Sequence, residues 1–344
     1  MSLLSELSSV TRPAWVQSNP KLIDRNYAFP KMLLRRAKKD KPVGDTLEFG
    51  LWTKRVPTGA LANAYSEYNG NNQEYTQKGT LSYITAYAKM EIAGRQLRSQ
   101  HGVDIDVLQN ADSLRALSRN EQMVLISLID GQIDRVIEDL TFTLGDWAYN
   151  GTGAGGVELT GLKAIIDNST TSYAGLDPTD TTIFPLDAVT NTRFWTPNVD
   201  TNSGTNREMT HELIAKMLNK VRRGNERSED ITVYMNNDLW STLELVLEGQ
   251  HPKESKLASI GFDAIEWHQA TFLRDEMCPA NKMYFVNLNH MWFQIRPSQD
   301  FKFKGWEKAA NQDVISAIVQ SDLQIVCNDR HRQGLIDDVA SIAD

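Results

Sequence analysis

The hydrophobic pattern changes period along the chain. Leu81, Tyr83, Thr85 and Tyr87 alternate with Ser82, Ile84, Ala86 and Ala88, and a period of two predicts a strand. Upstream, Leu47, Phe49, Leu51 and Thr53 share one face of a second extended stretch, Thr46 to Val56. The two read as limbs of a long hairpin over residues 45–92, with Asn69-Gly70 as the strongest short turn signal between them. The stretch from Pro57 to Gly79 is rich in Asn, Gly and Tyr and too poor in apolar residues for a core of its own. A loop that long is expected to pack on another molecule.

The next stretch is helical in period. Leu125, Leu128, Ile129, Ile133, Val136, Ile137, Leu140, Leu144 and Trp147 keep the i, i+3, i+4, i+7 spacing. Ser118-Arg119-Asn120-Glu121 fits a capping box, and Asn150-Gly151 fits a helix end. The predicted helix, Ser118 to Tyr149, has 32 residues and a length of ~48 Å.

Elements beyond residue 160 are short and mixed. Thr210 caps a helix carrying Leu213, Met217, Leu218 and Val221 and ending at Gly224. Ile231 to Met235 is a strand, and Asp238 opens a helix through Trp240, Leu243 and Leu247. Strands are expected at Ala264–Trp267, Lys282–Leu288, Met291–Ile295, Val314–Val319 and Leu323–Cys327. Residues 168–206 form a polar, insertion-like region. At the other end, Pro13, Pro20 and Pro30 interrupt the helical spacing of Leu3, Leu4, Leu7 and Val10, so residues 1–44 read as an arm. Its large apolar groups, Trp15, Tyr27 and Phe29, are expected to pack on something.

Composition narrows the class. The chain has 344 residues and a net charge of −8. The best candidate for a membrane-spanning stretch, Met123 to Ile129, is seven residues closed by Asp130 and falls short of the ~18 residues such a helix needs. The first residues lack a basic region and carry Glu6, unlike a secretory signal. Only Cys278 and Cys327 occur, which excludes a disulfide framework and a multi-cysteine zinc site. Residues 1–55 carry +6 and the remainder −14. Arg35, Arg36, Lys38, Lys39 and Lys41 form a basic run, suited to an acidic partner, either nucleic acid or another copy of this chain.

Chemical motifs give no catalytic constellation. Gly151, Gly153 and Gly156 have dinucleotide-loop spacing, but that loop needs a strand before it and a helix after, and a helix precedes it here. Asn198, Asp200 and Asn202 begin like a calcium loop, yet Ser203 replaces the turn glycine and Glu208 falls one place early, so Asx turns are expected. His211-Glu212 begins like a zinc-protease helix, but position 215 is Ala. The sequence therefore predicts no enzyme, no cofactor and no metal site. The arm, the unsupported hairpin and the long helix are protruding parts suited to neighbours. Expected contacts are Tyr65, Tyr68 and Tyr75 with Asn69-Gly70 in the loop, the basic run, and Trp15.

This order of elements resembles the major capsid protein of tailed bacteriophages, in the α+β Hong Kong 97-type fold. Residues 1–44 match its N-terminal arm and 45–92 its extended loop. The helix 118–149 matches the spine helix of a peripheral domain, 93–157 with 297–327. Gly151 to Ile166, with Gly161-Leu162 before an apolar strand, resembles the crossing into an axial domain, 158–296 with 328–344, where Met235-Asn236-Asn237-Asp238-Leu239-Trp240 resembles the strand-to-helix turn. The strands from Phe301 to Cys327 resemble the peripheral return sheet.

The resemblance implies a structural protein, not an enzyme, made in a bacterial host cytoplasm and ending in the virion. Its hexamers and pentamers would close an icosahedral shell around double-stranded DNA, held by non-specific contacts, with a portal and no membrane. The arm begins almost at Met1, so assembly is expected on a separate scaffolding protein or on none. Members that cross-link do so between Lys and Asn. Lys54 or Lys78 and Asn311 or Asn328 are the residues to weigh, but nothing in the sequence supplies the buried carboxylate the reaction needs. The alternatives are an encapsulin-like nanocompartment shell and, from another class, a soluble α+β enzyme.

Overall fold

In the computed structural model the described residues are 28–39, 44–52, 76–95, 98, 136, 139–140, 142–167, 170, 172–180, 183–184, 195–222, 230–247, 253–254, 264–308 and 313–341. They fall into two compact units. Unit 1 is Met1–Lys41, Ile84–Trp147 and Gln294–Leu323; unit 2 is Pro42–Tyr83, Ala148–Phe293 and Gln324–Asp344.

Unit 1 opens with helix α1, Ala28–Arg35, which buries Phe29 and Leu33. The chain then runs beside Gln294 as a parallel bridge, with Ile295 N donating to Lys38 O at 3.0 Å. Strand β3, Ile84–Ala93, pairs antiparallel with β12, Val314–Cys327, from Ala93↔Val314 to Ile84↔Leu323. Strand β11, Lys302–Lys308, is antiparallel to β12 as well, with a bulge between Phe303 and Trp306. Cross-strand partners share a face. Ile92 with Ile315, Met90 with Ala317 and Ala86 with Ser321 are buried. Helix α2 is described at 136, 139–140 and 142–150, where Val136, Leu140 and Leu144 are buried at the predicted spacing. The capping box and the rest of residues 118–135 of the predicted helix lie outside the described residues.

Unit 2 is built on a seven-stranded sheet ordered β4-β13-β9-β5-β8-β7-β6. These strands are β4 (Asn198–Asp200), β5 (Ile231–Met235), β6 (Lys253–Glu254), β7 (Ala264–Trp267), β8 (Ala270–Arg274), β9 (Met283–Asn287) and β13 (Gly334–Ile336). β5 is parallel to β8 and antiparallel to β9. All five residues of β5 and of β9 are buried, as continuous apolar runs require. Helices α4 (His211–Val221) and α5 (Asn237–Leu247) join one core with Val233, Phe272, Phe285 and Ile336. Thr210 caps α4 by accepting from Leu213 N at 3.3 Å.

The hairpin also belongs to unit 2. Strand β1, Thr46–Trp52, pairs antiparallel with β2, Thr76–Ser82, from Thr46↔Ser82 to Trp52↔Thr76. Phe49 lies opposite Gly79, and a Cβ there would fall 2.6 Å from the Phe49 ring. The ring covers the glycine backbone, so this position admits no larger residue without displacing it. Leu47 packs with Trp292 of β10, Met291–Ile295, and with Val326; Phe49, Leu81 and Tyr83 border the cluster.

Several expectations are corrected. The single return limb divides at Tyr83: β2 stays with β1, whereas β3 joins β12, because Ile84, Ala86, Met90 and Ile92 find an apolar partner face there. Thr76–Gly79, expected in the loop, are ladder residues of β2, and β1 is described only to Trp52. Val314–Val319 and Leu323–Cys327 form one 14-residue strand, because Ser321 and Asp322 tolerate burial; Asp322 accepts from Thr85 Oγ1 at 2.7 Å. Leu162–Ile165 is a short helix, α3, where a strand was expected. The cap of α5 is Asn236, two residues before Asp238, and its Oδ1 accepts from Leu239 N at 3.0 Å.

Candidate interaction surface

Burial explains the chemistry-bearing side chains before any surface is considered. Cys278 and Cys327 are buried thiols. Burial and then the Asp275 charge push Cys278 well up, and burial pushes Cys327 up to about 12, so neither is a thiolate at neutral pH. Asp275, also buried, accepts from Tyr149 Oη at 2.9 Å and from Met277 N at 3.0 Å. Asp167 takes Lys282 Nζ at 2.5 Å and Tyr284 Oη at 2.8 Å, with Asp337 3.3 Å from the same ammonium. Burial works against the Lys282 charge, but the two carboxylates outweigh it and hold the ammonium above its ordinary range. Arg330 is fully buried and donates from Nε to Ile165 O at 2.8 Å, and its guanidinium lies over the rings of Tyr173 and Trp195. Burial lowers its pKa to about 10. These groups have their partners inside the chain, which suits them to holding unit 2 together.

The rejected motifs are absorbed likewise. In the glycine-rich turn, Gly153 N donates to Leu159 O, Gly161 N to Gly151 O, and the Glu158 carboxylate accepts from Thr152 N and Oγ1. A carboxylate in that place repels phosphate. Asn198, Asp200 and Asn202 belong to β4 and its exit: Asn198 Nδ2 donates to His331 O at 2.6 Å and Asn202 Nδ2 to Thr205 O at 2.8 Å. Among the described residues, no group of His, Cys, Asp or Glu is placed to hold a metal.

Of the expected contact residues, Arg35 at the end of α1 and Arg36, Lys38 and Lys39 just beyond it are exposed. Lys39 meets Asp300 of its own unit at 2.5 Å, an exposed pair of small worth. Lys41, Trp15, Tyr65, Tyr68, Asn69, Gly70 and Tyr75 lie outside the described residues, as do Lys54 and Asn311. Lys78 pairs with Glu48, and Asn328 Oδ1 lies 3.0 Å from His290 Nδ1. The segment Arg35–Lys39 belongs to unit 1, and the hairpin strands β1 and β2 belong to unit 2.

The structure adds a surface that the sequence reading missed. On the open face of the unit 1 sheet, Lys302, Gln320 and Tyr87 lie in one row across β11, β12 and β3, and Glu307, Ser316 and Glu91 in another. Ile318 and Lys89 lie between them. Tyr87 is 69% exposed. The alternation of Tyr83, Thr85 and Tyr87 was the available signal; Tyr83 is half-buried, whereas Thr85 and Tyr87 turned out to be wet.

No protein-family profile matches the chain, and no curated protein matches it. Solved structures do. The chain is similar to the capsid asymmetric unit of cyanophage A-1(L), with a TM-score of 0.58, 17% identity, and coverage of 90% of this chain and 92% of that one. The capsid of a native GTA particle gives 0.54 at 12% identity over 90% of each chain. The capsid of cyanophage P-SCSP1u gives 0.51 at 8% identity over 92% and 88%. The α+β capsid fold expected from the order of elements is the fold of this chain.

Proposed function

We propose that this chain is a major capsid protein, many copies of which close into the icosahedral shell around the double-stranded DNA of a tailed phage. The observation that carries the reading is the capsid fold across nine tenths of the chain. No single contact need be strong, because each subunit touches several neighbours and the shell is held by their number. The loop between Trp52 and Thr76 lies across an adjacent subunit, with Tyr65, Tyr68 and Tyr75 as anchors. The basic run Arg35–Lys41 meets the acidic surface of a neighbour, and salt weakens that contact. Scaffolding protein, portal and packaged DNA are the remaining partners.

The test joins Leu51 directly to Gln77 through Asn-Gly in place of residues 52–76. The pairs Leu47↔Leu81 to Leu51↔Gln77 remain, a two-residue turn suits their ends, and shortening a loop costs folding little. Negative-stain microscopy and light scattering are expected to show hexamers, pentamers or closed shells from the full chain, and only soluble smaller species with an unchanged circular dichroism spectrum from the shortened one. Full-sized shells from the shortened chain would exclude the loop's role. A full-length chain that stays monomeric at every concentration would exclude the shell.

A further inference from the structure

The hairpin leaves unit 2 as a two-stranded ribbon, and two points on β2 hold it from the side. Ser82 O accepts from Gln324 Nε2 at 3.0 Å. Gln324 is itself buried, and its Oε1 accepts from Thr160 N and Ile325 N. Two residues further along, Thr80 N donates to Ala174 O at 2.9 Å. The Thr80 amide therefore points away from β1, and the turn containing Ala174 sits on the outer edge of the ribbon.

That turn is built to stay in one shape. Tyr173 N and Leu176 O, and Leu176 N and Tyr173 O, bond at 3.1 and 3.0 Å across a two-residue bend. Ala174 has φ 55° and Gly175 φ 75°, both left-handed, as a type I′ turn requires. Tyr173 anchors it from below: its ring is buried, its hydroxyl accepts from Cys327 N at 2.9 Å, and the Arg330 guanidinium lies 5.7 Å over the ring. A continuous path of bonded groups thus runs from the backbone of β12 through Tyr173 and Ala174 to the Thr80 amide. A Cβ added on Gly175 would stand 3.4 Å from Thr80 Oγ1, so a side chain there would meet the ribbon.

We infer that the Tyr173–Leu176 turn is the fulcrum that sets the angle of the hairpin on unit 2, with Tyr173, Ala174 and Gly175 as positioning residues for the contact the loop makes with a neighbouring subunit. The inference rests on the shell reading for its purpose, but not for its geometry. A ribbon held only at its root, by Ser82 and the Leu47 cluster, keeps freedom to swing; pinned at Thr80 too, it delivers its far ends, Trp52 and Thr76, to one place. A shell needs that, because a small angular error in each subunit is repeated in every copy.

The experiment measures the distance between spin labels on cysteines placed at Lys78 and Lys216, both exposed, while the native cysteines are buried and stay unlabelled. In the otherwise unaltered subunit the distribution is expected to be narrow. Gly175→Val puts a β-branched residue at positive φ, and Thr80→Pro removes the amide that meets Ala174 O without touching the β1 ladder. Each is expected to widen the distribution about twofold or more in the folded subunit. Gly175→Asn tolerates the left-handed region and is expected to restore the narrow distribution, a rescue that loss of stability alone does not explain. In assembly, shells from the Val and Pro variants become irregular in diameter, and those from the Asn variant stay uniform. Distributions as narrow in the Val and Pro variants as in the parent would overturn the fulcrum. Failure of the parent itself to form shells, with the distances behaving as stated, would overturn the shell reading and leave the fulcrum standing.

Discussion

Strand β5 reads Ile-Thr-Val-Tyr-Met with every side chain buried, whereas β3, ten residues long, alternates buried and wet along most of its length. β5 lies in the middle of seven strands, with α4 and α5 over one face and Tyr284 against Tyr149 on the other, ring centres 5.8 Å apart. β3 and the first half of β12, Val314–Gln320, bury one face, and the other presents Tyr87, Lys89, Glu91 and Ile318. Unit 2 thus satisfies its sheet from within, while unit 1 keeps a sheet face for something else. Monomeric proteins also have half-wet antiparallel sheets. Here an exposed tyrosine and a half-buried isoleucine sit among paired charges.

The hardest blow to this comparison falls on unit 2. Phe285→Asp places a charge at a fully buried position between Val233 and Gly334. It is expected to cost about 5 kcal/mol or more and to leave no soluble folded subunit. A cooperative urea transition near that of the parent chain would show that this sheet is not the stabilising core.

Gly79→Val acts on the hairpin root. The new side chain collides with the Phe49 ring, at a cost of about 1–3 kcal/mol. The expected signature is local: amide exchange rises across Thr46–Ser82, while the strands of the seven-stranded sheet keep their protection. Uniform loss across unit 2 would mean that the root is part of the main core.

Tyr87→Ser sharpens the contrast most finely. The residue is largely exposed, so the isolated subunit should change by no more than about 0.5 kcal/mol. If its face meets a neighbour, a lost tyrosine contact of about 1.4 kcal/mol raises the concentration needed for assembly tenfold. Light scattering against protein concentration reads this, and an unchanged threshold would mean that the open face stays in water within the shell.

The regular parts were legible because local patterning and tertiary burial agreed. Ile231–Met235 and Thr210 with its helix follow from residue type and spacing, and so does the exit of the long helix near Asn150. What the tertiary structure alone decided is which of two equivalent faces is buried. In the stretch from Leu81 to Ala88 both faces carry residues that suit a strand, and only the partner strand β12, distant in sequence, chooses Ile84 and Ala86 over Thr85 and Tyr87. The same holds at Tyr83, where one extended run passes from β1 to β12 with no turn residue to mark the change. The Thr80 seat needs a left-handed pair at Ala174 and Gly175, and an alanine there gives no warning. Period and capping are properties of a few neighbouring residues. Pairing partner, buried face and the place where a backbone amide finds its acceptor are properties of segments that meet only after the chain has folded.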